Sequence, residues 1–247
     1  MLLDDNHYCD AHMHVCEDIE ALLTKPDRVH AVISACDSKE AEVAQALAEK
    51  YPHIHASYGV HPWQASQERY DEMLPWLENA DIIGEIGLDS KWCEIPLAVQ
   101  RDIFERQLAF ASEHNKPVVL HTKGMEGECL ERIRQYPNTY MVHWYSETEH
   151  LQAYLDLGCY MSVGPFPTKD PAVREVAIKC PMDRLLIETD GLDALKWALG
   201  EAVAPADYTK QLVRIAEEIG VVRGFGFEAI LEICNMNLTR FVQSKNA

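Results

Sequence analysis

Eight short apolar runs alternate with longer amphipathic segments along this chain of 247 residues, and this alternation constrains the fold more than any other feature. The runs are continuously apolar, as in parallel strands that are covered on both faces. The predicted strands cover residues 7–15, 28–36, 54–59, 81–87, 117–120, 140–143, 159–163 and 184–188. Eight strand–helix units in about 250 residues are typical of a (β/α)8 barrel. We therefore predict an α/β fold, the TIM barrel.

The segments between the runs have helical patterns. The predicted helices cover residues 39–50, 66–78, 126–136, 147–157, 171–179, 207–218 and 227–242, with another that begins after Pro96. Ser38 is expected to cap the first of them. Residues 193–205 are predicted to form a loop. No linker interrupts the chain, so residues 1–247 are predicted to be one domain. A doubly wound open sheet is the alternative, but no Gly-x-Gly-x-x-Gly motif follows the first strand.

The charge and the cysteines limit the environments in which the chain is expected to work. The formal net charge is −18, which disfavours non-specific binding to nucleic acid or to an acidic membrane. No apolar run approaches the roughly 20 residues of a membrane span. The first residues lack the basic stretch of a secretory signal. Eight cysteines at irregular spacing, without a Cys-x-x-Cys pair, predict reduced thiols. We predict a cytoplasmic protein that has neither membrane contact nor an obligate protein partner.

Residues of metal-binding type lie at the ends of five predicted strands. They are His12, His14, Glu85, His121, His143 and Asp190. His12 and His14 are two residues apart on one strand, so their side chains share a face. Glu85 lies in an apolar run, where a carboxylate is costly to bury unless it is paired or bound to a metal. Each residue alone has an ordinary explanation, such as a rim histidine, an ion pair or a helix cap.

The six residues together predict a metal site, because the C-terminal ends of barrel strands form the face on which active sites are built. Four histidines and two carboxylates suit Zn²⁺, Mn²⁺ or Ni²⁺ better than a Mg²⁺ or Ca²⁺ cage. A catalytic zinc usually takes three protein ligands, and six are present. Two divalent metal ions that share a carboxylate and a water are therefore predicted, and the identity of the metal stays open.

The order of the motifs resembles that of the TatD-type metal-dependent hydrolases, within the wider amidohydrolase group of barrels. The motifs are Asp10-Ala11-His12-Met13-His14, Gly59-Val60-His61-Pro62, Gly84-Glu85-Ile86-Gly87-Leu88-Asp89, Pro117-Val118-Val119-Leu120-His121, His143 and Glu188-Thr189-Asp190. The resemblance implies a binuclear site and hydrolysis of phosphoesters, often of DNA. It also implies the ligand sets, which are His12, His14 and Asp190 for one ion, His121 and His143 for the other, and Glu85 as the bridge.

The chain departs from the family pattern at three places on the substrate side. Lys123 stands where the family often has an arginine, and lysine holds a phosphate only as a point charge. Trp144-Tyr145-Ser146 replaces a Phe-Ser-Gly-like turn. The segment from Gly191 to Trp197 replaces a loop with proline, and the family's Asn-Glu-Pro-like element is missing.

These observations predict a deoxyribonuclease-like phosphoesterase in which a metal-bound hydroxide attacks phosphorus or a carbonyl carbon. Asp190 is predicted to accept or relay the proton, and Glu85 to hold the two ions together. His61 and Lys123 are predicted to assist substrate binding. An amidohydrolase-like hydrolase of C–N bonds or lactones is the alternative, and a non-catalytic metal-binding barrel is another.

The predicted substrate is a small or single-stranded phosphoester, possibly DNA, that is held mainly by the metals. Duplex DNA is usually bound through many lysines and arginines. This chain has 22 of them against 40 acidic residues. Four tryptophans either line the mouth of the site or pack in the protein, and packing is favoured: Trp63, Trp92, Trp144 and Trp197.

Overall fold

A single sheet of eight parallel strands forms the centre of the computed structural model, which describes residues 8–24, 28–165 and 167–244. The strands are β1 (Tyr8–His14), β2 (Val29–Ala35), β3 (Ile54–Tyr58), β4 (Ile82–Gly87), β5 (Val118–His121), β6 (Tyr140–Val142), β7 (Tyr160–Val163) and β8 (Leu185–Ile187). They are hydrogen-bonded in chain order. The ring closes where the backbone N–H of Asp190 donates to the carbonyl of His12 at 3.1 Å. The predicted TIM barrel is confirmed.

Helices follow the strands around the barrel. They are α1 (Ile19–Thr24), α2 (Ser38–Lys50), α3 (Gln67–Asn79), α4 (Leu97–Glu113), α5 (Glu126–Ile133), α6 (Leu151–Asp156), α7 (Pro171–Lys179), α8 (Leu192–Leu199), α9 (Tyr208–Arg223) and α10 (Phe227–Gln243). Asp37, rather than Ser38, caps α2, because its Oδ1 accepts from Glu40 N at 2.9 Å. No helix of the described ranges is long and apolar enough to cross a membrane.

The prediction of a loop at 193–205 is wrong over the first half of that range, where α8 lies. Gly191 at φ +88° precedes this helix, and Gly200 in the left-handed conformation ends it. Leu195 is fully buried and anchors the helix to the core. The helix is short and has no side-chain N-cap, so the usual signals of a helix start were lacking.

Buried strands explain the continuous apolar runs. β2 and β4 to β8 are buried over their whole lengths. A fully buried Val, Leu or Ile stabilises the fold by about 1.5–3 kcal/mol, which favours strands without polar alternation. Since all eight strands are parallel, their C-terminal ends share one face. The polar residues at those ends are therefore brought together.

Candidate metal centre

Glu85 lies at the middle of the six predicted ligands and is 1% exposed. Its Oε2 is 3.4 Å from His12 Nε2 and 3.2 Å from His14 Nε2. Its Oε1 is 2.7 Å from His121 Nδ1 and 2.8 Å from His143 Nε2. The two oxygens of one carboxylate thus face two different pairs of histidines.

Asp190 completes the half of the centre that contains His12 and His14. Its Oδ1 lies 3.3 Å from His12 Nε2 and 3.6 Å from His14 Nε2. Asp190 has φ +60°, which aspartate tolerates better than most residues do. Its side chain is 20% exposed, so it faces the opening, whereas Glu85 lies beneath it.

Two carboxylates orient the histidines of the other half. His121 Nε2 donates to Asp89 Oδ2 at 3.0 Å, which leaves Nδ1 directed at Glu85. His143 Nδ1 lies 3.3 Å from Glu188 Oε1, which leaves Nε2 directed at Glu85. Partners of this kind fix the tautomer and the angle of a metal-binding imidazole. Asp89 and Glu188 belong to the family-like motifs, but no role was predicted for either residue.

Ser34 on β2 orients the remaining two histidines. Its hydroxyl lies 3.1 Å from His12 Nδ1, and its carbonyl lies 3.2 Å from His14 Nδ1. His12 Nε2 is buried and has no hydrogen-bond partner among the described residues, although two carboxylates lie near it. A buried polar atom without a partner is costly, and a bound cation would remove that cost. The arrangement therefore fits a metal at this nitrogen.

The electrostatics of the cluster also favour bound cations. Burial by itself would raise the pKa of Glu85, but positive charge at His143 and the other histidines outweighs burial and lowers it well below its usual range. Burial opposes ionisation of Asp190 too, yet His12 and His143 lower its pKa to about 2. Both carboxylates are thus ionised at neutral pH, as metal ligands must be.

A network below Asp190 fixes the end of β8 against β1. The buried carboxylate of Asp10 accepts from Thr189 N at 3.0 Å, and from the hydroxyls of Thr189 and Tyr208. Burial raises the pKa of Asp10 to about 7 despite these hydrogen bonds. Because Thr189 precedes Asp190, the network positions the ligand at the ring closure.

His61, predicted to contact substrate, lies against the centre. Its Nε2 is 3.3 Å from His121 Nδ1 and 3.6 Å from Glu85 Oε1, while Nδ1 accepts from Trp63 N at 3.2 Å. Burial lowers the pKa of His61 to about 4. Gln107 on α4 holds the preceding turn, through hydrogen bonds to the N–H and the carbonyl of Val60. His61 is therefore neutral at physiological pH and directed at the buried end of the site.

The side chain of Lys123, predicted to assist substrate binding, contacts the turn after β6. Its Nζ donates to the carbonyl of Trp144 at 2.7 Å and to the hydroxyl of Ser146 at 2.8 Å. Burial lowers the pKa of this lysine. At least two of its three N–H groups thus hold the turn after β6.

The tryptophans differ from the expectation that they pack inside the protein. Trp63 is 51% exposed, and its Nε1 donates to Asp89 at 2.6 Å. Trp92 is 55% exposed and Trp197 is 70% exposed. Trp144 is partly buried. Packing is therefore the wrong explanation for three of the four.

A (β/α)8 barrel with histidines and carboxylates gathered at the C-terminal ends of its strands defines a metal-dependent hydrolase. The sequence profile of the family described as TatD related DNase matches residues 9–243. The chain belongs to this family, the TatD family of metal-dependent hydrolases, as its motifs predicted.

Known proteins of the family resemble the chain over most of its length. It is 27% identical to the uncharacterized metal-dependent hydrolase YabD of Bacillus subtilis strain 168, over 97% of this chain and 98% of that protein. It is 31% identical to the 3'-5' ssDNA/RNA exonuclease TatD of Citrobacter rodentium, over 61% of this chain and 62% of that protein. The crystal structure of YjjV, a TatD homologue from Escherichia coli K12, matches with a TM-score of 0.80 at 24% identity, over 96% and 97% of the two chains. At that identity, the match supports the fold.

Proposed function

We propose that this protein is a binuclear metal-dependent phosphodiesterase that cleaves small or single-stranded phosphoester substrates. The observation behind the proposal is that the two carboxylate oxygens of Glu85 face separate pairs of histidines, His12 with His14 and His121 with His143. A bridging carboxylate between two cations has this arrangement of donors. One barrel domain, residues 1–247, would contain the whole site.

The proposed ligand sets follow from the side of Glu85 on which each residue lies. His12, His14 and Asp190 would hold one ion, and His121 and His143 the other. The nitrogen-rich set favours Zn²⁺, Mn²⁺ or Ni²⁺ over Mg²⁺. When bound, two such ions supply a water of lowered pKa and neutralise charge on the phosphate.

Asp190 is the residue that we propose to accept or relay the proton of the attacking water. It is ionised at neutral pH, and it faces the opening, where a water can reach it. Glu85 is too deeply buried for contact with bulk water, which suits the role of joining the ions. His61 is neutral and lies within reach of the centre, and its Nε2–H would donate a hydrogen bond to the substrate because Nδ1 already accepts from Trp63 N. Lys123 would add positive charge at the rim.

The substrate class rests on family membership and on charge. The TatD relative of Citrobacter rodentium is named for the hydrolysis of single-stranded DNA and RNA. An excess of 40 acidic over 22 basic residues opposes the broad phosphate contacts that a duplex needs. Hydrolysis of C–N bonds or lactones is not favoured, because the chain belongs to the TatD family. The eight free thiols support a reducing compartment, and we propose the cytoplasm.

Metal analysis combined with hydrolysis assays tests this proposal. The wild-type protein is expected to hold about two ions per chain and to cleave a single-stranded oligonucleotide. A chelator should abolish cleavage, and added metal should restore it. Glu85→Gln should lose at least one ion, whereas Glu94→Gln, an exposed carboxylate after the same strand, should lose neither. Undiminished cleavage by chelated, metal-free protein would refute the proposal.

A further inference from the structure

Three tryptophans and one lysine form a cluster, and the proposed metal chemistry gives the tryptophans no role. The aromatic cluster consists of Trp92, Trp144, Trp197 and Lys123. The ring centroid of Trp197 is 5.9 Å from that of Trp92 and 6.1 Å from that of Trp144, both in edge-to-face contacts. Lys123 Nζ lies 5.9 Å from the Trp92 centroid and 5.8 Å from the Trp144 centroid.

The aromatic cluster is linked to the candidate metal centre through neighbouring residues in the chain and through the hydrogen bonds of Asp89. Trp144 is next to His143 in the chain. Trp92 N donates to Asp89 Oδ1 at 2.9 Å, and the other oxygen of Asp89 accepts from His121. Trp197 lies on α8, which begins two residues after Asp190.

The surrounding structure holds the Trp144 indole in place. Gly164, after β7, is so close that a Cβ there would lie 2.6 Å from Cδ2 of this indole. The backbone N–H of Trp144 donates to Ser162 Oγ at 3.3 Å, and the backbone carbonyl of Trp144 accepts from Lys123 Nζ. Glycine is thus required at position 164 for the indole to take this position.

The outer two indoles remain open to solvent. Trp197 is 70% exposed and Trp92 is 55% exposed, so their contacts with each other cover only part of either ring. Large exposed aromatic rings beside a catalytic site mark a binding surface. Lys123 and Trp144 also stand at two of the three places where the sequence departs from the family pattern, and Trp197 stands at the third.

We propose that the aromatic cluster is a subsite for an unpaired nucleobase of the substrate. This inference rests on the proposed phosphodiesterase function and names the group that the enzyme recognises beside the phosphate. Any base can stack on an indole, whereas a base within a duplex already stacks on its neighbours. Lys123 adds a cation near the rings.

The neighbouring surface supports a base rather than a phosphate on this side. A cavity of about 570 Å³ adjoins Trp92 and Lys123. Four carboxylates line it, those of Glu126, Glu128, Glu147 and Glu149. Arg101 and Arg132 pair with Glu128, and the other three carboxylates outnumber the two lysines of the lining, Lys91 and Lys123. The lining therefore disfavours a phosphate chain more than an uncharged base. The phosphate is therefore left to the metal centre, and the base to the aromatic cluster.

Binding of matched strands tests the subsite without turnover. The probe is a short fluorescein-labelled thymidine oligonucleotide, and its partner is the same strand with abasic sugars in place of the thymidines. In the Asp190→Asn background with Mn²⁺, Trp197→Ala should raise the Kd for the thymidine strand about tenfold. The Kd for the abasic strand should not change. Trp197→Phe should restore most of the affinity for the thymidine strand, because phenylalanine keeps an aromatic ring.

A matched control removes an aromatic ring elsewhere. Phe225 is about half exposed in the turn between α9 and α10, and Phe225→Ala should leave both Kd values unchanged. The subsite is refuted if Trp197→Ala leaves the Kd for the thymidine strand and the Kd for the abasic strand at the values of the parent protein. Duplex DNA that binds as tightly as the single strand at physiological salt also refutes it.

The two proposals fail in different ways. If the wild-type protein binds the thymidine strand through Trp197 but cleaves neither strand, the subsite stands and the phosphodiesterase function falls. If it cleaves both strands with equal kcat/KM and binds them equally, the function stands and the subsite falls.

Discussion

His121 is held by Asp89 at 3.0 Å through one ring nitrogen, so that the other nitrogen can only face the centre of the site. Asp89 is itself held by Gln100 on α4, whose Oε1 accepts from Asp89 N at 2.9 Å. Trp63 Nε1 also donates to Asp89. The orientation of one proposed metal ligand thus depends on a carboxylate that does not face the proposed ions.

Asp89→Asn tests that dependence. The variant keeps the size of the side chain but removes the negative charge of the carboxylate that accepts the hydrogen bond from His121. We expect a 10- to 100-fold loss of affinity for one of the two ions, about the usual effect of losing such a partner. Metal titration of the apoprotein measures it, with Glu94→Gln as a control. Unchanged affinity for both ions would show that His121 needs no partner.

Single removals of the histidines should separate the two ions. His121→Ala or His143→Ala should reduce the metal content from about two ions per chain to about one, with the barrel folded. His14→Ala should remove the other ion. Mass spectrometry of the metals and circular dichroism check content and fold. Loss of both ions from every variant would contradict separate ligand sets.

Asp190→Asn should leave most metal bound and lower kcat by about 10²–10⁴, because a proton acceptor is replaced by an amide. The comparison of kcat with metal content at saturating metal is the relevant measurement. Nearly normal kcat in this variant would remove Asp190 from the proton transfer.

Gly164→Ala tests how closely the end of β7 fits the Trp144 ring. The added methyl would overlap the indole and should destabilise the fold by about 1–3 kcal/mol. In a Trp144→Ala background, the same change should cost much less, and this difference is the coupling between the two residues. Urea denaturation of the four proteins provides the free energies. Equal costs in both backgrounds would mean that no steric contact exists.

His30, which is not one of the candidate ligands, gives a prediction for the dependence of the free energy of unfolding on pH. It lies at the start of β2, with Nε2 3.2 Å from His55 Nε2, and burial together with the charge of His55 lowers its pKa to about 3. Below about pH 6.5 the unfolded chain binds a proton at this position that the folded chain does not. Stability should therefore fall as pH falls from about 6.5 towards 3.

His30→Gln should weaken that pH dependence, since glutamine does not titrate. Free energies of unfolding at several pH values, all with chelator, give the comparison. Parallel curves for His30→Gln and the wild type would contradict the lowered pKa.

The sequence predicted the barrel and the meeting of the six candidate ligands for one physical reason. In a parallel barrel every strand ends on the same face, so His12, Glu85 and Asp190 must converge once their strands are recognised. The TatD resemblance added the order of the motifs, and the family match confirms it. The ligand sets themselves remain a prediction.

The features that sequence reasoning missed depend on side-chain directions and on short elements. The position of Asp89 in the sequence does not indicate that its carboxylate contacts His121. Helix α8 is too short for a clear period, and without it Trp197 has no predicted position. Trp92 is exposed because of the geometry of its loop, whereas the hydrophobicity of tryptophan alone predicts burial. Each of these depends on contacts between distant segments.

The hydrogen bond from Asp190 to the carbonyl of His12 joins the last strand of the barrel to the first. The proposed set for one ion, His12, His14 and Asp190, therefore draws on the first and the last strand of the barrel. During synthesis, the two histidines and the bridging Glu85 emerge before the aspartate, so the set lacks its second carboxylate until β8 docks on β1. Tight metal binding by the proposed set would thus require ring closure, and metal occupancy would report that the last strand has docked on the first.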